Sequence, residues 1–364
     1  MKVDFARPDR EHEALRAELE AAAARVLRSG RSILGDEVVR FEADFARVVG
    51  AKFAVGVSNG TDALVAALLA VGVGPGDEVL VGAFGFVAAP EAVVRVGAKP
   101  VFVDVEPATL GLDPDKLRAA DADSVRAVIS VDLFGLVHDA TTLRSAIPDV
   151  AVVEDAAQAF GSTFGGRSAG TLGTIGTFSF FPSKALGAAG DGGACVTDDA
   201  RLAERMRSIR SHGIGKEHAW REAGGNYRLD AIQAALLGVK LTRIEARLAR
   251  RRAIGARLAE AIRRTGATPL VGVASCRPVF APLAIRVAAD KRDAFVARLR
   301  ASGVDARVHY PETLAQSRPF EAFAAGRSFP EAERATRELV SLPCHPELTD
   351  AEIDELVAAL TRAL

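Results

Sequence analysis

Short apolar runs alternate with alanine- and leucine-rich helical stretches from about residue 50 to residue 200. Gly, Pro or Asp marks the joins, and the β-branched runs are residues 53–57, 78–81, 100–103, 127–131 and 150–153. This alternation predicts βαβ units around a mostly parallel, buried sheet. Because such sheets bind ligands at the carboxyl ends of their strands, the residues that follow each run are the first place to look for a functional site.

The pattern changes after Asp199. Long helical periodicity begins at Asp230, and the remainder mixes shorter elements. It predicts strands at 279–287 and 304–309 and helices at 291–302, 330–340 and 349–363. The expected fold is α/β: a large three-layer domain with a mostly parallel sheet over residues 1–240, followed by a smaller C-terminal α+β domain over residues 241–364.

Composition narrows the class of protein. The 364 residues carry 46 Lys and Arg against 47 Asp and Glu, a net charge of -1, which gives no basis for indiscriminate binding to nucleic acid or to an anionic membrane surface. No apolar run reaches the roughly 18 residues expected of a membrane span. The three scattered cysteines predict neither a disulfide framework nor a metal site, and a reducing cytoplasm is the expected location.

One segment departs from the even charge balance. Residues 201–264 hold 16 Lys or Arg against 6 Asp or Glu, and Arg243, Arg247 and Arg251 recur at the spacing of one helix face. Such a face either docks an anionic ligand or lies in solvent. The solvated face is favoured, because charge runs on helices usually face water.

Two strand ends carry candidate chemistry. The run that ends at Val57 continues as Ser-Asn-Gly-Thr-Asp and opens an apolar helix, so free amides and the Thr61 hydroxyl can cradle a phosphate, although ordinary helix capping explains the same residues. The run that ends at Val153 continues with Glu154 and Asp155. A buried carboxylate there needs a cationic partner, such as a protonated pyridine nitrogen, unless Asp155 merely caps the next helix.

The most specific segment is FSFFPSKALGAAGDGG, which contains Lys184. By composition the chain has only 8 lysines, and this one lies between an aromatic strand and a glycine-rich loop. A lysine in apolar surroundings loses its proton more readily, which suits it to forming an imine with an aldehyde. A lysine that extends from a strand end into solvent is the structural alternative. Asp155 and Ser179 precede Lys184 in the same α/β unit, which favours chemistry.

From about Leu34 to its end, the chain resembles the DegT/DnrJ/StrS family of pyridoxal-phosphate-dependent sugar aminotransferases, of the aspartate aminotransferase fold class. The segments that carry the resemblance follow the family's order: FEADFA, SNGTDAL, GPGDEVL, GAKPVFVDVEP, EDAAQAFGS, FSFFPSKALGAAGDGG, NYRLDAIQAALL, VHYP and SLPCHPEL. The resemblance implies a type I transferase fold, pyridoxal 5'-phosphate (PLP) as cofactor with pyridoxamine 5'-phosphate (PMP) as its aminated form, and a homodimer with shared active sites.

Roles of individual residues follow from the same resemblance. Lys184 would bind the cofactor's aldehyde covalently and then move the proton, and Asp155 would keep the pyridine nitrogen protonated. Gln158 would contact the ring hydroxyl. The phosphate would be held by Gly60, Thr61 and Ser179, and by Asn226 from the partner subunit.

Two positions depart from the family's pattern. Phe86 aligns with the aromatic that stacks on the cofactor ring, but Gly85 stands where the family usually has Thr, so Phe84 is the alternative. His309 and Tyr310 would line the sugar pocket, although the family's following Pro-Leu-His is absent here. A half-buried strand end explains His309 equally well.

The implied reaction moves an amino group from L-glutamate to a keto sugar on a nucleoside diphosphate, a 3-keto or 4-keto deoxyhexose. A cyclitol or other carbocyclic ketone is an alternative acceptor. A PMP-dependent sugar dehydratase is disfavoured, because those relatives replace the lysine with histidine and this chain keeps Lys184. A regulator that holds the cofactor without turnover is disfavoured by the complete set of lysine, aspartate, glutamine and serine.

Overall fold

The computed structural model describes residues 2–118, 124–215, 219–324 and 326–363. Within these ranges the strands are β1 (Phe53–Val57), β2 (Glu78–Gly82), β3 (Lys99–Val103), β4 (Val125–Val131), β5 (Ala151–Asp155), β6 (Thr163–Phe164), β7 (Arg167–Ser168), β8 (Ile175–Ser179), β9 (Gly193–Thr197), β10 (Thr268–Pro269), β11 (Cys276–Arg277), β12 (Leu283–Arg286) and β13 (Leu339–Leu342). The five apolar runs of the sequence therefore coincide with β1 to β5.

Helices connect most of these strands. They are α1 (Pro8–Ala14), α2 (Arg16–Ser29), α3 (Asp36–Val49), α4 (Gly60–Ala70), α5 (Ala88–Arg95), α6 (Pro114–Arg118), α7 (Ala140–Ala146), α8 (Ala200–Ile209), α9 (Ala231–Leu241), α10 (Ile244–Arg263), α11 (Arg292–Ala301), α12 (Glu321–Ala324), α13 (Pro330–Glu338) and α14 (Asp350–Ala363). None of the helices in the described ranges is long and apolar enough to cross a membrane.

A seven-stranded sheet forms the centre of the molecule, in the order β1-β9-β8-β5-β4-β2-β3. Strand β9 runs antiparallel to both of its neighbours, and the other pairs in the sheet are parallel. The predicted α/β class with a mostly parallel sheet is thus confirmed. Parallel strands are covered on both faces, which explains why their sequences are continuous apolar runs.

Helices cover both faces of the sheet and complete three layers. On one face, the apolar residues of α4, α5 and α8 pack with inward side chains such as Val55 and Ile175. On the other face, α3 and α9 pack against side chains that alternate with these, such as Ala54 and Phe178. The period-two alternation of strand side chains assigns each residue to one layer.

The C-terminal part has its own small sheet, β10-β12-β13. The helices predicted at 291–302 and 349–363 are found as α11 and α14. The strand predicted at 279–287 is confined to β12, because Pro282 cannot donate a ladder hydrogen bond and Phe280 has a φ of 54°. The helix predicted at 330–340 ends at Glu338, since the next four residues pair with β12.

The strand predicted at 304–309 is not formed. Val304 and Arg307 make only isolated bridges, to Val3 and Ser341. Val3 is fully buried in the C-terminal core together with residues of β12 and α14. The division at residue 240 stays a prediction, and the first residues of the chain pack with the part that follows it.

Helix α10 spans the two cores. Its first turns place Ile244 and Leu248 among the residues that cover the large sheet. Its later turns place Ile254 and Leu258 in the C-terminal core. The residues between Leu248 and Ile254 therefore lie at the junction of the two cores, which is the kind of cleft in which ligands bind.

Candidate active site

A cavity of about 770 Å³ opens at the carboxyl ends of the parallel strands. It is lined by the last residues of β4, β5 and β8 and by the first turn of α4, which follows β1. This is the edge that the apolar runs pointed to, because parallel strands deliver their carboxyl ends to one side of a sheet. Of the predicted site residues, the cavity brings together Gly60, Thr61, Phe86, Asp155, Gln158, Ser179, Lys184, His309 and Tyr310.

Lys184 and Asp155 form the electrostatic centre of the cavity. Asp155 ends β5 and is buried, and its Oδ1 accepts a hydrogen bond of 3.0 Å from the Ala157 amide. Burial raises the pKa of Asp155, and the nearby Lys184 opposes this rise. Burial also lowers the pKa of Lys184, against the attraction of Asp155. A lysine shifted in this direction is readily available as a neutral amine, the form that attacks a carbonyl.

The start of α4 builds an anion cradle. Asn59 caps the helix, since its Oδ1 accepts a 2.8 Å hydrogen bond from the Asp62 amide, and the Asp62 carboxylate pairs with Arg95 at 3.1 Å. With Asn59 occupied as the cap, the Gly60 and Thr61 positions face the cavity beside Ser179. Exposed amides at a helix start bind phosphate readily.

Gly60 is required by close approach. A Cβ at this position would lie 2.7 Å from the Ser179 Cβ and 3.3 Å from its Oγ. Gly60→Ala is therefore expected to push the two sides of the cradle apart and to weaken phosphate-anchored cofactor binding about tenfold. Titration of PLP into the apoprotein measures this, with Gly74→Ala as control, because a Cβ at Gly74 meets nothing within 4 Å. Equal affinities for the two variants would contradict the role of Gly60.

Gln158 and Tyr310 form one wall. The Phe134 amide donates a 2.8 Å hydrogen bond to Gln158 Oε1, which directs Nε2 toward the Tyr310 hydroxyl at 3.3 Å. Burial raises the pKa of Tyr310 to about 12, so its hydroxyl stays protonated at neutral pH. Phe86 is 52% exposed and lines the cavity, whereas Phe84 is buried in the core. Of the two aromatics, the position of Phe86 is the one that suits stacking on a ligand ring.

Of the remaining predicted residues, His309 lines the cavity and Asn226 does not. His309 lies in the cavity wall with Nδ1 3.0 Å from the Ser341 hydroxyl oxygen, and burial, with Arg307 and Lys184 adding to it, lowers its pKa to about 4. Asn226 is exposed and lies outside the cavity of its own chain. Its assignment to the partner's cofactor stays a prediction.

The basic face of α10 differs from the solvated stripe that the sequence favoured. The Arg243 side chain is 60% exposed, but Arg247 pairs with Glu11 at 3.2 Å and with Glu347 at 2.6 Å. Arg251 is buried and lines the cavity. The charge run is thus solvated only at its start, because α10 passes between the two cores.

The cavity also contains residues that the sequence did not single out. Among these are Phe5, Arg307 and His345. Arg307 lies over the Phe5 ring at 4.3 Å and pairs with Asp305 at 2.7 Å. The N-terminal residues therefore form part of the cavity wall, which no local motif indicates.

A buried acidic pair lies next to the site. Glu154 points away from the cavity and accepts three backbone N–H bonds of 2.6, 2.8 and 2.9 Å from residues 170, 172 and 173. Asp132 is 1% exposed and 3.1 Å from His138 Nδ1. Burial raises the pKa of both carboxyls to about 8, and the pair repel each other when ionised. The two carboxyls together therefore retain a proton at neutral pH.

This pair predicts a falling stability with rising pH. Between the ordinary carboxyl pKa and about 8, the folded chain holds a proton that the unfolded chain has lost, so the free energy of unfolding decreases as pH rises from 6 to 8. The slope attributable to one proton is at most about 1.4 kcal/mol per pH unit. Asp132→Asn is expected to flatten it in denaturant titrations at several pH values, relative to the exposed control Asp290→Asn. Parallel slopes in the two variants would contradict the shared proton.

Comparison with known proteins identifies the class. Residues 13–361 match the DegT/DnrJ/EryC1/StrS aminotransferase family, and the chain belongs to that family. The protein is an aminotransferase with the type I fold of PLP-dependent transferases.

Three individual similarities support this. The UDP-2-acetamido-2-deoxy-3-oxo-D-glucuronate aminotransferase of Pseudomonas aeruginosa is 39% identical over 350 residues, which cover 95% of this chain and 96% of the relative. A pleiotropic regulatory protein of Geobacillus stearothermophilus is 40% identical over 359 residues, with coverages of 97% and 96%. The crystal structure of S. venezuelae DesV in complex with a ketimine intermediate superposes with a TM-score of 0.94 at 37% identity, covering 99% and 98% of the two chains.

The residues of the cavity fit the cofactor that the family implies. The Gly60 and Ser179 positions leave a space that a Cβ would fill, at a helix start suited to a phosphate. Asp155 is a buried carboxylate placed for a protonated ring nitrogen, and Lys184 is a desolvated amine suited to an aldehyde. The cavity thus provides a suitable partner for the phosphate, the ring nitrogen and the aldehyde of the cofactor.

Proposed function

We propose that the protein transfers an amino group from L-glutamate to a nucleoside-diphosphate-linked keto sugar, with PLP as cofactor. The observation that carries the proposal is a desolvated Lys184 that interacts electrostatically with the buried Asp155 in a cavity of about 770 Å³. A cavity of this size admits a ligand much larger than an amino acid.

The residues divide the work between binding and proton transfer. Gly60, Thr61 and Ser179 would hold the phosphate of the cofactor, and Asp155 would hold a proton on its ring nitrogen. When bound, PLP supplies a carbonyl that takes up the amino group and a ring that delocalises negative charge. Lys184 Nζ would remove the proton from the donor's α-carbon and hold it for return, with its neutral form favoured by burial.

A 3-keto sugar is the proposed acceptor. The relative from Pseudomonas aeruginosa is named for a 3-oxo sugar on UDP, and it aligns over nearly the whole chain. Tyr310 and His309 line the same cavity as the cradle of α4, where they can contact a sugar ring. The 4-keto sugars and carbocyclic ketones are the alternatives that the assay has to separate.

An absorbance assay tests this function directly. Glutamate is expected to convert the bound cofactor from its PLP spectrum to its PMP spectrum, and a UDP- or dTDP-linked 3-keto sugar is expected to restore it. Parallel additions of 4-keto sugars and keto-cyclitols rank the acceptors. If glutamate leaves the spectrum unchanged, the proposed donor is wrong. If no ketone restores the PLP spectrum, the proposed sugar acceptor is wrong.

A regulatory role is the second candidate, because one relative bears such a name. The complete set of Lys184, Asp155, Gln158 and Ser179 in one cavity favours turnover, since a binding protein needs no desolvated amine beside the ring site. Sustained amino transfer over many cycles supports the enzyme, and a single turnover that stops at PMP supports the regulator.

A homodimer with shared sites completes the proposal. Asn226 is exposed and outside its own cavity, which leaves it available to a partner subunit. Mixed dimers of Lys184→Ala and Asn226→Ala chains are expected to regain up to about a quarter of the wild-type activity, because random mixing and one intact site in each mixed dimer restore that share. Mixtures no more active than the separate variants would contradict shared sites.

A further inference from the structure

Arg251 occupies an unusual place for a charged residue. It lies on α10 at the junction of the two cores, is 5% exposed, and lines the same cavity as Lys184. Within the described residues its side chain makes one hydrogen bond, from Nη1 to the Phe280 carbonyl at 3.3 Å. A guanidinium has five N–H donors, so most of the hydrogen-bonding capacity of Arg251 is unused.

The charges around Arg251 do not balance. Two carboxylates, Glu11 and Glu347, act on Arg251 electrostatically, and both are paired with other groups. Glu11 pairs with Lys240 at 3.1 Å and with Arg247 at 3.2 Å, and Glu347 pairs with Arg247 at 2.6 Å. Lys240 and Arg247 thus occupy both carboxylates, and Arg251 has no ion pair among the described residues.

The other basic groups of the cavity are already matched. Arg95 pairs with Asp62 at 3.1 Å, and Arg307 pairs with Asp305 at 2.7 Å. Lys184 has Asp155 beside it. A buried, unmatched cation is costly unless a ligand completes it, so the cavity is built to receive an anion at Arg251.

We propose that Arg251 binds a carboxylate of the amino donor. The inference rests on the proposed function, in which that donor is glutamate. A planar guanidinium with one edge held by the Phe280 carbonyl presents its remaining donors as a fork, the geometry that matches a carboxylate. The phosphate of the cofactor has its own cradle at α4, so Arg251 is not needed there.

Glutamate has two carboxylates, and amide analogues identify which one binds. Glutamine lacks the side-chain carboxylate, and isoglutamine lacks the α-carboxylate. If Arg251 binds the α-carboxylate, Arg251→Met weakens the reaction with glutamate and glutamine but has little further effect with isoglutamine. If it binds the side-chain carboxylate, glutamine is the donor that becomes insensitive. A variant that weakens all three equally overturns the proposal.

The main measurement is the donor half-reaction of the holoenzyme. Arg251→Met keeps the length of the side chain and removes its charge, and it is expected to raise the half-saturating glutamate concentration about 100-fold. The effect on the keto sugar step is expected to be at least tenfold smaller. Arg250→Met is the matched control, since Arg250 is 41% exposed and pairs with Asp350 on the surface. Arg251→Lys, which keeps charge but loses the fork, is expected to fall between the two.

Calorimetry gives a readout independent of turnover. Glutarate, a dicarboxylate without an amino group, is expected to bind wild type and Arg250→Met alike and to bind Arg251→Met about 100-fold more weakly. Equal binding to all three proteins overturns the proposal. A variant whose keto sugar step is lost while donor binding is unchanged also overturns it, and assigns Arg251 to the sugar nucleotide's anion.

The two proposals fail in different ways. If wild type does not react with glutamate but glutarate binding depends on Arg251, the donor was misidentified and the carboxylate site stands. If wild type reacts with glutamate and Arg251→Met does so at the same concentrations, the proposed function stands and the role of Arg251 is wrong.

Discussion

Replacing Lys184 with alanine is expected to lower the rate of amino transfer by at least about 10³-fold and to abolish covalent attachment of PLP. The rate falls because the only group in the proposed mechanism that moves the α-proton is removed, and general acid–base catalysis alone contributes roughly 10²–10⁴-fold. Attachment is lost because no second lysine lines the cavity among the described residues. Borohydride reduction followed by mass spectrometry measures attachment, and stopped-flow absorbance measures the rate.

The control for this variant is Lys52→Ala, which removes an exposed lysine directly before β1, at the opposite end of that strand from the cavity. Small primary amines are expected to restore part of the lost rate in Lys184→Ala, because they can occupy the space of the side chain and accept the proton. A covalent PLP adduct that persists after borohydride treatment of Lys184→Ala would assign attachment to another residue.

The sheet and the residues at its edge were predictable because local sequence determines them. A buried parallel strand must be apolar on both faces, so β1 to β5 are visible as runs, and their ends mark Asp155 and the start of α4. The same logic found Ser179 at the end of an aromatic strand. These positions follow from the apolar pattern of a strand and from helix capping, both of which are set by a few neighbouring residues.

The sequence favoured a solvated position for Arg251, although its place on the helix carried the opposite signal. Residues 244, 248, 255, 258 and 262 of α10 are buried, and 251 falls on the same stripe of the helix. Reading the arginines at 243, 247 and 251 as one charged face put Arg251 with its basic neighbours instead of with the apolar residues. A charged residue on an apolar stripe is the more informative observation, since burial of a charge requires a partner.

Other features depend on contacts between distant residues and could not be predicted. A second lysine, Lys240, is also buried. It is 1% exposed and donates a 2.7 Å hydrogen bond to the carbonyl of Gly187 in the glycine-rich loop, a contact that the small number of lysines could not predict. Val340 belongs to a strand and not a helix because β12 lies beside it. Tyr310 meets Gln158 across 152 residues. Tertiary pairing overrides local propensity in each case.

Asp155→Asn is expected to lower the rate of the glutamate half-reaction about 10³-fold. The carboxylate at this position is buried and ends β5, and in the proposed function it would stabilise a proton on the ring nitrogen of PLP. A neutral amide cannot compensate that positive charge, so the ring becomes a weaker electron sink. The fold should persist, because the Asn Oδ1 can still accept the Ala157 amide hydrogen bond that Asp155 accepts at 3.0 Å. Stopped-flow absorbance gives the rate.

Cofactor affinity separates the electronic role of Asp155 from a structural one. The phosphate cradle at Gly60 and Ser179 is untouched in Asp155→Asn, so the dissociation constant of PLP is expected to rise no more than about tenfold while the rate falls about 10³-fold. A purely structural role would weaken binding and rate together. Asp198→Asn is the control, since its carboxylate accepts the Lys52 amide hydrogen bond at the surface. A half-reaction rate in Asp155→Asn within threefold of wild type would mean that another group protonates the ring.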